Sequence, residues 1–581
     1  MLNEELGIEA RKIIPGSSFM LNFGGNNLQI KDILEKAIIE AAQSMISDGT
    51  FKLADTDKLP DVLLEVPPKK EFGDFATNFA MQSAKIFHNN PRKIAEELKN
   101  RIKLEQVEKI EIAGAGFLNF YIKPTVIYDT FRKIFNAGND YGQLPNKNNK
   151  TIQIEYVSAN PTGLLHIGHG RGAAAGSAIV NIMRAAGYNV EAEYYINDAG
   201  NQMDKLTISV NARYLQLLGK DVEMPEDAYV GEDIIDTAKR IVEKCGDKYL
   251  NVPEEERLNA MRELGYQDKL AELKKDLKNF RVEFDNWFSE RTLHPDAIND
   301  AIEVLKKGGT IYEHEGALWL KSTDYGDDKD RVVIRENGEP TYLAADIAYH
   351  KNKFERGFSE LINIWGADHH GYVARVKAAM SALGFNADKL KILFLQMVAL
   401  YRSGELVKMS KRSGNAIPLR ELMEEVGTDA ARFFFLMRSM ESQLDFDLDL
   451  AKKKSSDNPV YYVQYAHARI CSIFRQTTEM NIKMEGNPNF NLLIHPSEVD
   501  LINKIADYEE EIERAAKEYA PQRITRYTQE IAALFHAFYR DCRIIGVEPQ
   551  LASARLGLIK VTAHVIEHAL GLLGVSAPES M

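Results

Sequence analysis

Cysteine is scarce in this chain of 581 residues: there are three, Cys245, Cys471 and Cys542, with no CxxC pair among them. That excludes a disulfide framework and a thiolate zinc site, and it fits a reducing, cytoplasmic setting. Long hydrophobic runs are also lacking. None approaches the ~18 residues of a membrane helix, so no membrane partner is expected. The opening MLNEELGIEARK carries Glu4, Glu5 and Glu9 and no apolar core segment, which fits neither a secretory signal nor a transit peptide. There is no excess of basic charge: 72 Lys+Arg against 85 Asp+Glu give a net −13. A nucleic-acid partner must therefore be held by a local basic surface rather than by overall attraction. What is present is ordinary globular composition, 45% hydrophobic and 27% charged. The length suffices for three or four domains at roughly 100–200 residues each.

Four stretches follow from the patterning. Residues 1–27 end in the turn-rich GGNN and are expected to be a flexible N-terminal extension. Residues 28–145 mix helices with short strands: IKDILEKAIIEAAQSMI is an amphipathic helix, and in KIEIAGAGFLNFYI the apolar alternation is broken by Gly114 and Gly116. After the polar linker PNKNNK, residues 146–425 alternate strands and helices. TIQIEYV reads as a buried strand ending near Val157, followed by a Gly/Ala-rich helix (172–186) and the strand YNVEAEYYI. Further strands are expected at ALWLKS, RVVIRE and LINIWG. This alternation predicts an α/β domain with a parallel sheet, with residues 205–330 read largely as an insertion. Beyond 425 strand signals vanish. DAARFFFLMRSM, VYYVQYAHARICSIF, ITRYTQEIAALFHAFYRDC and ARLGLIKVTAHVIEHALGLLG space their apolar residues by three and four, predicting a helical bundle over 426–581.

The chemistry concentrates in IEYVSANPTGLLHIGHGRGAAAG (154–176). His166, Gly168 and His169 fall where a strand, an irregular loop and a small-residue helix meet. A helix N-terminus presents free N–H groups and a positive dipole, so it attracts phosphate. Two imidazoles at that end can add hydrogen bonds, and Gly168 leaves room for a base or ribose. Gly168, Gly170 and Ala173 also satisfy the loose dinucleotide pattern GxGxxG/A, with Glu191 or Glu193 placed as a ribose ligand. That pattern, however, wants its glycines directly after the strand, and here ten residues separate Val157 from Gly168. More than 230 residues downstream, LVKMSKRSGNAIPL puts Lys408 and Lys411 on either side of Met409 and Ser410. Alone, such a basic turn is a weak signal. It gains meaning in order with HIGH and at domain-scale separation.

HIGH (166–169) with KMSK (408–411) resembles the signature pair of class I aminoacyl-tRNA synthetases. EFGDFATNFAMQ, GAGFLNFYI, YVSANPTGLLHIGHGR, FDNWFSERTL, PTYLAADIAYH, WGADHHGY, NPVYYVQYAHAR and the closing GLLGVSAPESM narrow the resemblance to arginyl-tRNA synthetases, from about residue 28 to Met581. The resemblance implies a Rossmann-like parallel-sheet catalytic core, an N-terminal domain contacting the tRNA elbow and an all-α anticodon-binding bundle. It implies activation of L-arginine with ATP and transfer to the 3′-terminal ribose of tRNA(Arg). Mg²⁺ is expected through the nucleotide, with no protein-bound metal or organic cofactor, and the enzyme is expected to be a monomer.

The resemblance also implies residue roles. His166 and His169 would serve the phosphates and Lys408 and Lys411 the departing pyrophosphate, with Gly168, Asp368, Met409 and Ser410 in the ATP site. Glu155, Ser158, Asn160, His169, Tyr342 and Asp346 match arginine-binding positions. Asp346 and Tyr342 would face the guanidinium, and Asn160 and His169 the α-amino and carboxylate groups. Asp368, His369 and His370 admit a metal reading, but a nucleotide or pocket role is expected. For tRNA the candidates are Phe117 and Asn119, then Tyr465, Arg523, Arg526, Arg540, Arg543 and Met581. The four arginines are expected to form a phosphate-contacting stripe on a bundle that is otherwise not basic.

Overall fold

A computed structural model of the chain describes residues 26–53, 58–67, 69–147, 150–407 and 417–581. Most of the expected flexible extension, residues 1–25, lies outside the described residues, as do Lys408, Met409, Ser410 and Lys411. Asn26 and Asn27, assigned to that extension, instead open a helix. The described residues divide into two compact units between Lys123 and Pro124.

The first unit pairs helices Asn26–Ser47 and Pro91–Arg101 with a three-stranded antiparallel sheet in the order Phe75–Thr77, Phe117–Ile122, Val107–Ala113. Leu34, Ile38, Ala41 and Met45, spaced by three and four, form the buried stripe of its first helix.

The second unit is built on a five-stranded, wholly parallel sheet. Its order is Leu390–Leu395, Glu360–Gly366, Thr151–Glu155, Asn189–Ile196, Asn286–Ser289. The central strand ends at Glu155, two residues short of the expected Val157. Val157 and Ser158 take left-handed conformations, φ 70° and 41°, and so leave the sheet. The following helix, Ile167–Ala185, starts five residues earlier than expected and is almost wholly buried. Its glycines weaken it locally by about 1 kcal/mol each, but contact geometry demands two of them. A Cβ at Gly176 would stand 2.2 Å from the Tyr156 ring, and one at Gly170 would stand 2.6 Å from Leu419.

The stretch read as one insertion is two excursions, because the edge strand Asn286–Ser289 returns to the sheet between them. The first holds helices Asn201–Leu217, Glu232–Cys245 and Glu254–Asn279 around their own core of Met203, Leu206, Val210, Tyr214, Ile234 and Met261. The second contains strands Ile311–His314, Ala317–Leu320 and Arg331–Ile334, which form a separate antiparallel sheet. ALWLKS and RVVIRE are therefore not part of the parallel sheet. Glu315 and Gly316, φ 49° and 74°, make a two-residue turn that forces a hairpin.

Strand pairing also persists past residue 425. Leu444–Asp447 pairs in parallel with Val398–Arg402, which forms a hairpin with Glu405–Val407. Four residues reading LDFD are too short and too charged to signal a strand alone. The helices that follow, Pro459–Glu479, Pro496–Ala506, Tyr508–Lys517, Pro521–Asp541 and Pro549–Leu572, build the expected bundle. Four of the five begin with proline, whose fixed φ suits a first helical position. No helix among the described residues is long and apolar enough to cross a membrane.

Candidate active site

His166 is the N-cap of helix Ile167–Ala185, and the HIGH tetrapeptide folds back on itself there. The Gly168 N–H donates to His166 Nδ1 at 3.1 Å, and the His166 N–H donates to His169 Nδ1 at 3.3 Å. The two rings stack with centroids 3.7 Å apart. Each Nδ1 accepts, so each ring proton sits on Nε2, available to donate outward. Burial pushes His166 below its usual range and His169 down to about 3, with His166 adding to the latter shift. Both are neutral donors near pH 7. At Gly168 a Cβ would lie 3.0 Å from the His166 ring, so this glycine makes room for the imidazole cap.

This cap opens onto a cavity of about 1160 Å³. Ser158, Asn160, His166, Gly168, His169 and Asp368 all line it, together with Met397, Val407 and Ile417. No lysine or arginine is found among these described lining residues. Val407 and Ile417 are the residues on either side of 408–416, so the chain enters and leaves the KMSK segment at the cavity wall. Main-chain bonds tie that exit to the cap: Ile167 N–H donates to Ile417 O at 3.1 Å, and Leu419 N–H to Leu165 O at 2.7 Å.

The expected arginine-binding residues fall into three settings. Ser158, Asn160 and His169 are in the cavity. Tyr342 and Asp346 lie on one face of helix Tyr342–Glu355, Tyr342 being 61% exposed. The Asp346 carboxylate accepts from the Tyr372 hydroxyl. Burial raises its pKa to about 7, the Tyr372 bond opposes that rise, and Glu155 and Glu290 add to it. Glu155, expected as a ligand, has both carboxylate oxygens engaged within the protein. Lys353 Nζ donates to one at 2.5 Å and Ser158 Oγ to the other at 2.8 Å. These two bonds fix the orientation of the Glu155 carboxylate, and each oxygen retains further acceptor capacity.

Sequence reasoning missed Glu290, Tyr195 and Tyr372. Glu290 is buried, and it and Asp346 both raise the Tyr195 hydroxyl, after desolvation. A lone Glu within FDNWFSERTL carries no spacing signal that would single it out. Glu191 and Glu193, the ribose candidates of the dinucleotide pattern, are bound by Arg356. Gly170 and Ala173 are buried against protein, so of that pattern only Gly168 faces the cavity. Asp368 is exposed beside His369, at 3.6 Å, and His370 stacks on Phe394 at 3.5 Å. No group of three His, Cys, Asp or Glu suited to a metal ion occurs among the described residues.

Of the tRNA candidates, Phe117 is 39% exposed, but Asn119 is buried in the middle strand of its sheet. Tyr465 and Met581 share a groove with Arg469, Arg475 and Tyr539, where the Arg469 guanidinium lies over both tyrosine rings. The four arginines fall in two pairs, at the start and the end of one helix. Arg523 and Arg526 lie on the first turns of helix Pro521–Asp541 and Arg540 on its last. At 1.5 Å per residue that separates them by roughly 20–25 Å. Arg523 pairs with Glu511 and Glu518, Arg526 with Glu511 and Glu530, and Arg540 with Asp541; exposed Arg543 lies just beyond that helix.

Comparison with known proteins agrees in all three regions. Residues 28–122 match the family described as the arginyl tRNA synthetase N terminal domain, 130–444 the tRNA synthetases class I (R) catalytic domain, and 463–581 the DALR anticodon binding domain. An arginine–tRNA ligase 1 of Halalkalibacterium halodurans is 48% identical over 95% of this chain and 99% of its own. An arginine–tRNA ligase of Carboxydothermus hydrogenoformans is 51% identical over 89% and 94%. The fold matches the Thermus thermophilus arginyl-tRNA synthetase structure with a TM-score of 0.73 at 23% identity, covering 95% of this chain and 100% of that one.

Proposed function

Because this chain belongs to the arginyl-tRNA synthetase family, we propose an assignment of its residues to the steps of the family reaction. The chain is a class I ligase: it activates L-arginine with ATP and transfers the arginyl group to the 3′-terminal ribose of tRNA(Arg). In the first step an arginine carboxylate oxygen attacks the α-phosphorus, and the bond to pyrophosphate breaks. In the second a ribose hydroxyl of the tRNA attacks the arginyl carbonyl, and AMP leaves.

One observation carries the assignment. The two HIGH imidazoles have both Nδ1 atoms occupied by backbone N–H groups, which leaves two fixed Nε2–H donors at a helix N-terminus. Neutral donors held in place stabilise charge on phosphate oxygens without reorganising during reaction. The described cavity wall lacks cations, and Lys408 and Lys411 lie on the segment between Val407 and Ile417, suited to the leaving pyrophosphate. Mg²⁺ would enter on the nucleotide's own phosphate oxygens, with Asp368 at the cavity mouth and Met409 and Ser410 lining the ATP site.

Asp346 and Tyr342 receive the guanidinium, with Glu290 adding a second carboxylate, while Ser158, Asn160 and His169 hold the α-amino and carboxylate end. A planar, always charged fork is best matched by carboxylates in a partly desolvated pocket. For tRNA, the groove of Tyr465, Arg469 and Met581 suits stacking of unpaired bases. Exposed Phe117 is the better elbow candidate, since Asn119 is buried. The protein works as a cytoplasmic monomer. Pyrophosphate exchange with each of the twenty amino acids, with and without tRNA, tests the assignment: arginine alone should support exchange, and only with tRNA present. Exchange driven equally by another amino acid would defeat it.

A further inference from the structure

We propose that Lys353 is a positioning residue for arginine recognition: an ammonium that fixes both walls of the arginine pocket at once from beneath it. The inference rests on the reading above, in which Ser158 and Asp346 face arginine. Lys353 is fully buried. Its Nζ donates to Glu155 Oε2 at 2.5 Å and to Asn363 Oδ1 at 2.9 Å.

Through Glu155 it holds the first wall. Ser158 Oγ donates to Glu155 Oε1 at 2.8 Å and accepts from the Tyr195 N–H at 3.2 Å. The turn thus pinned is strained: Val157 and Ser158 are successive left-handed residues, and a β-branched side chain makes φ 70° costly at Val157. Without the Ser158 anchor the turn has reason to relax into the cavity it lines.

Through Asn363 it holds the second wall. An ammonium only donates, so the Asn363 oxygen must face Lys353, and its amide N–H then donates to His350 Nε2 at 2.9 Å. That nitrogen must be bare. The His350 proton is therefore on Nδ1, where it donates to the Asp346 carbonyl at 2.8 Å. One cation thus sets the polarity of a chain of bonds running from the Ser158 turn to the Asp346 backbone. A buried ion pair adds little net stability over an apolar pair of similar size, so its effect here is geometric.

The test is steady-state kinetics on two variants, with melting temperature measured alongside. Glu155→Gln/Lys353→Met removes the pair without leaving a buried charge, and Asn363→Leu removes the link to His350. Relaxing the strained turn in the double variant, and freeing His350 on the second wall in Asn363→Leu, each predict a rise of about tenfold or more in the KM for arginine. The KM for ATP should stay within about twofold, because the phosphate donors are untouched. Unchanged arginine KM in both folded variants, or arginine and ATP KM rising together, overturns the proposal. If the double variant does not fold, Asn363→Leu decides alone. Asp346→Asn serves as the reference. Normal arginine binding in that variant defeats the pocket reading itself, whereas impaired binding there with unaffected Lys353 and Asn363 variants defeats only this inference.

Discussion

Tyr372 donates its hydroxyl hydrogen to the carboxylate of Asp346. The bond opposes burial, which holds that carboxyl near 7, so the pocket's main acid is close to half-protonated at neutral pH. Its charged form is the one a guanidinium needs. The KM for arginine should therefore fall as pH rises through about 7 and then level, changing about tenfold per unit on the acid side. Asp346→Asn should abolish that dependence and raise the arginine KM by roughly thirtyfold to several thousandfold, with the KM for ATP little changed. Tyr372→Phe should move the midpoint upward. An arginine KM independent of pH in the wild type would contradict the assignment.

His166 performs two tasks that substitution can separate. His166→Ala loses the helix cap, at about 1 kcal/mol of stability, and the phosphate donor, at roughly 10²–10³ in rate. His166→Asn should recover the melting temperature but not the rate, because a short amide caps well without reaching the phosphates. With both imidazoles held neutral by burial, kcat should show no imidazole ionisation between about pH 6 and 7.

Lys408→Ala and Lys411→Ala should each depress kcat far more than they weaken arginine binding, since pyrophosphate charge develops mainly in the transition state. A kcat within about threefold of wild type would make that lysine a bystander, where roughly 10²–10³ is expected.

Gly176→Ala should destabilise the protein although alanine favours helices, because the added methyl would sit 2.2 Å from the buried Tyr156 ring. A loss of about 1–3 kcal/mol is expected from denaturant unfolding. An unchanged midpoint would mean that the ring moves freely.

Motif order made HIGH and the lysine pair legible in the sequence, and periodicity located the long helices and most strands of the parallel sheet. What it could not carry is partnership. The Glu155 ion pair was not legible, because Lys353, 198 residues away, gives no local sign that it will pair with it. Spacing along the bundle's helices likewise says nothing about Glu511, which pairs with both Arg523 and Arg526. Short strands such as Asn286–Ser289 and Leu444–Asp447 exist by virtue of their neighbours. Four residues carry too little pattern to predict them.

The bonds from Ile167 to Ile417 and from Leu419 to Leu165 join the start of the histidines' helix to the chain that follows the lysines' segment, through main-chain atoms. Side-chain scanning is therefore blind to this linkage: any non-proline residue at these positions supplies the same groups. Position 167 offers a way around that. It is the first residue of its helix, where proline is well tolerated, and His166 before it is already extended, at ψ 174°. Ile167→Pro would thus delete a single hydrogen bond between the histidines' helix and the exit of the lysines' segment while leaving the helix itself intact. Mechanical coupling between the two halves of the nucleotide site can be read from that one atom.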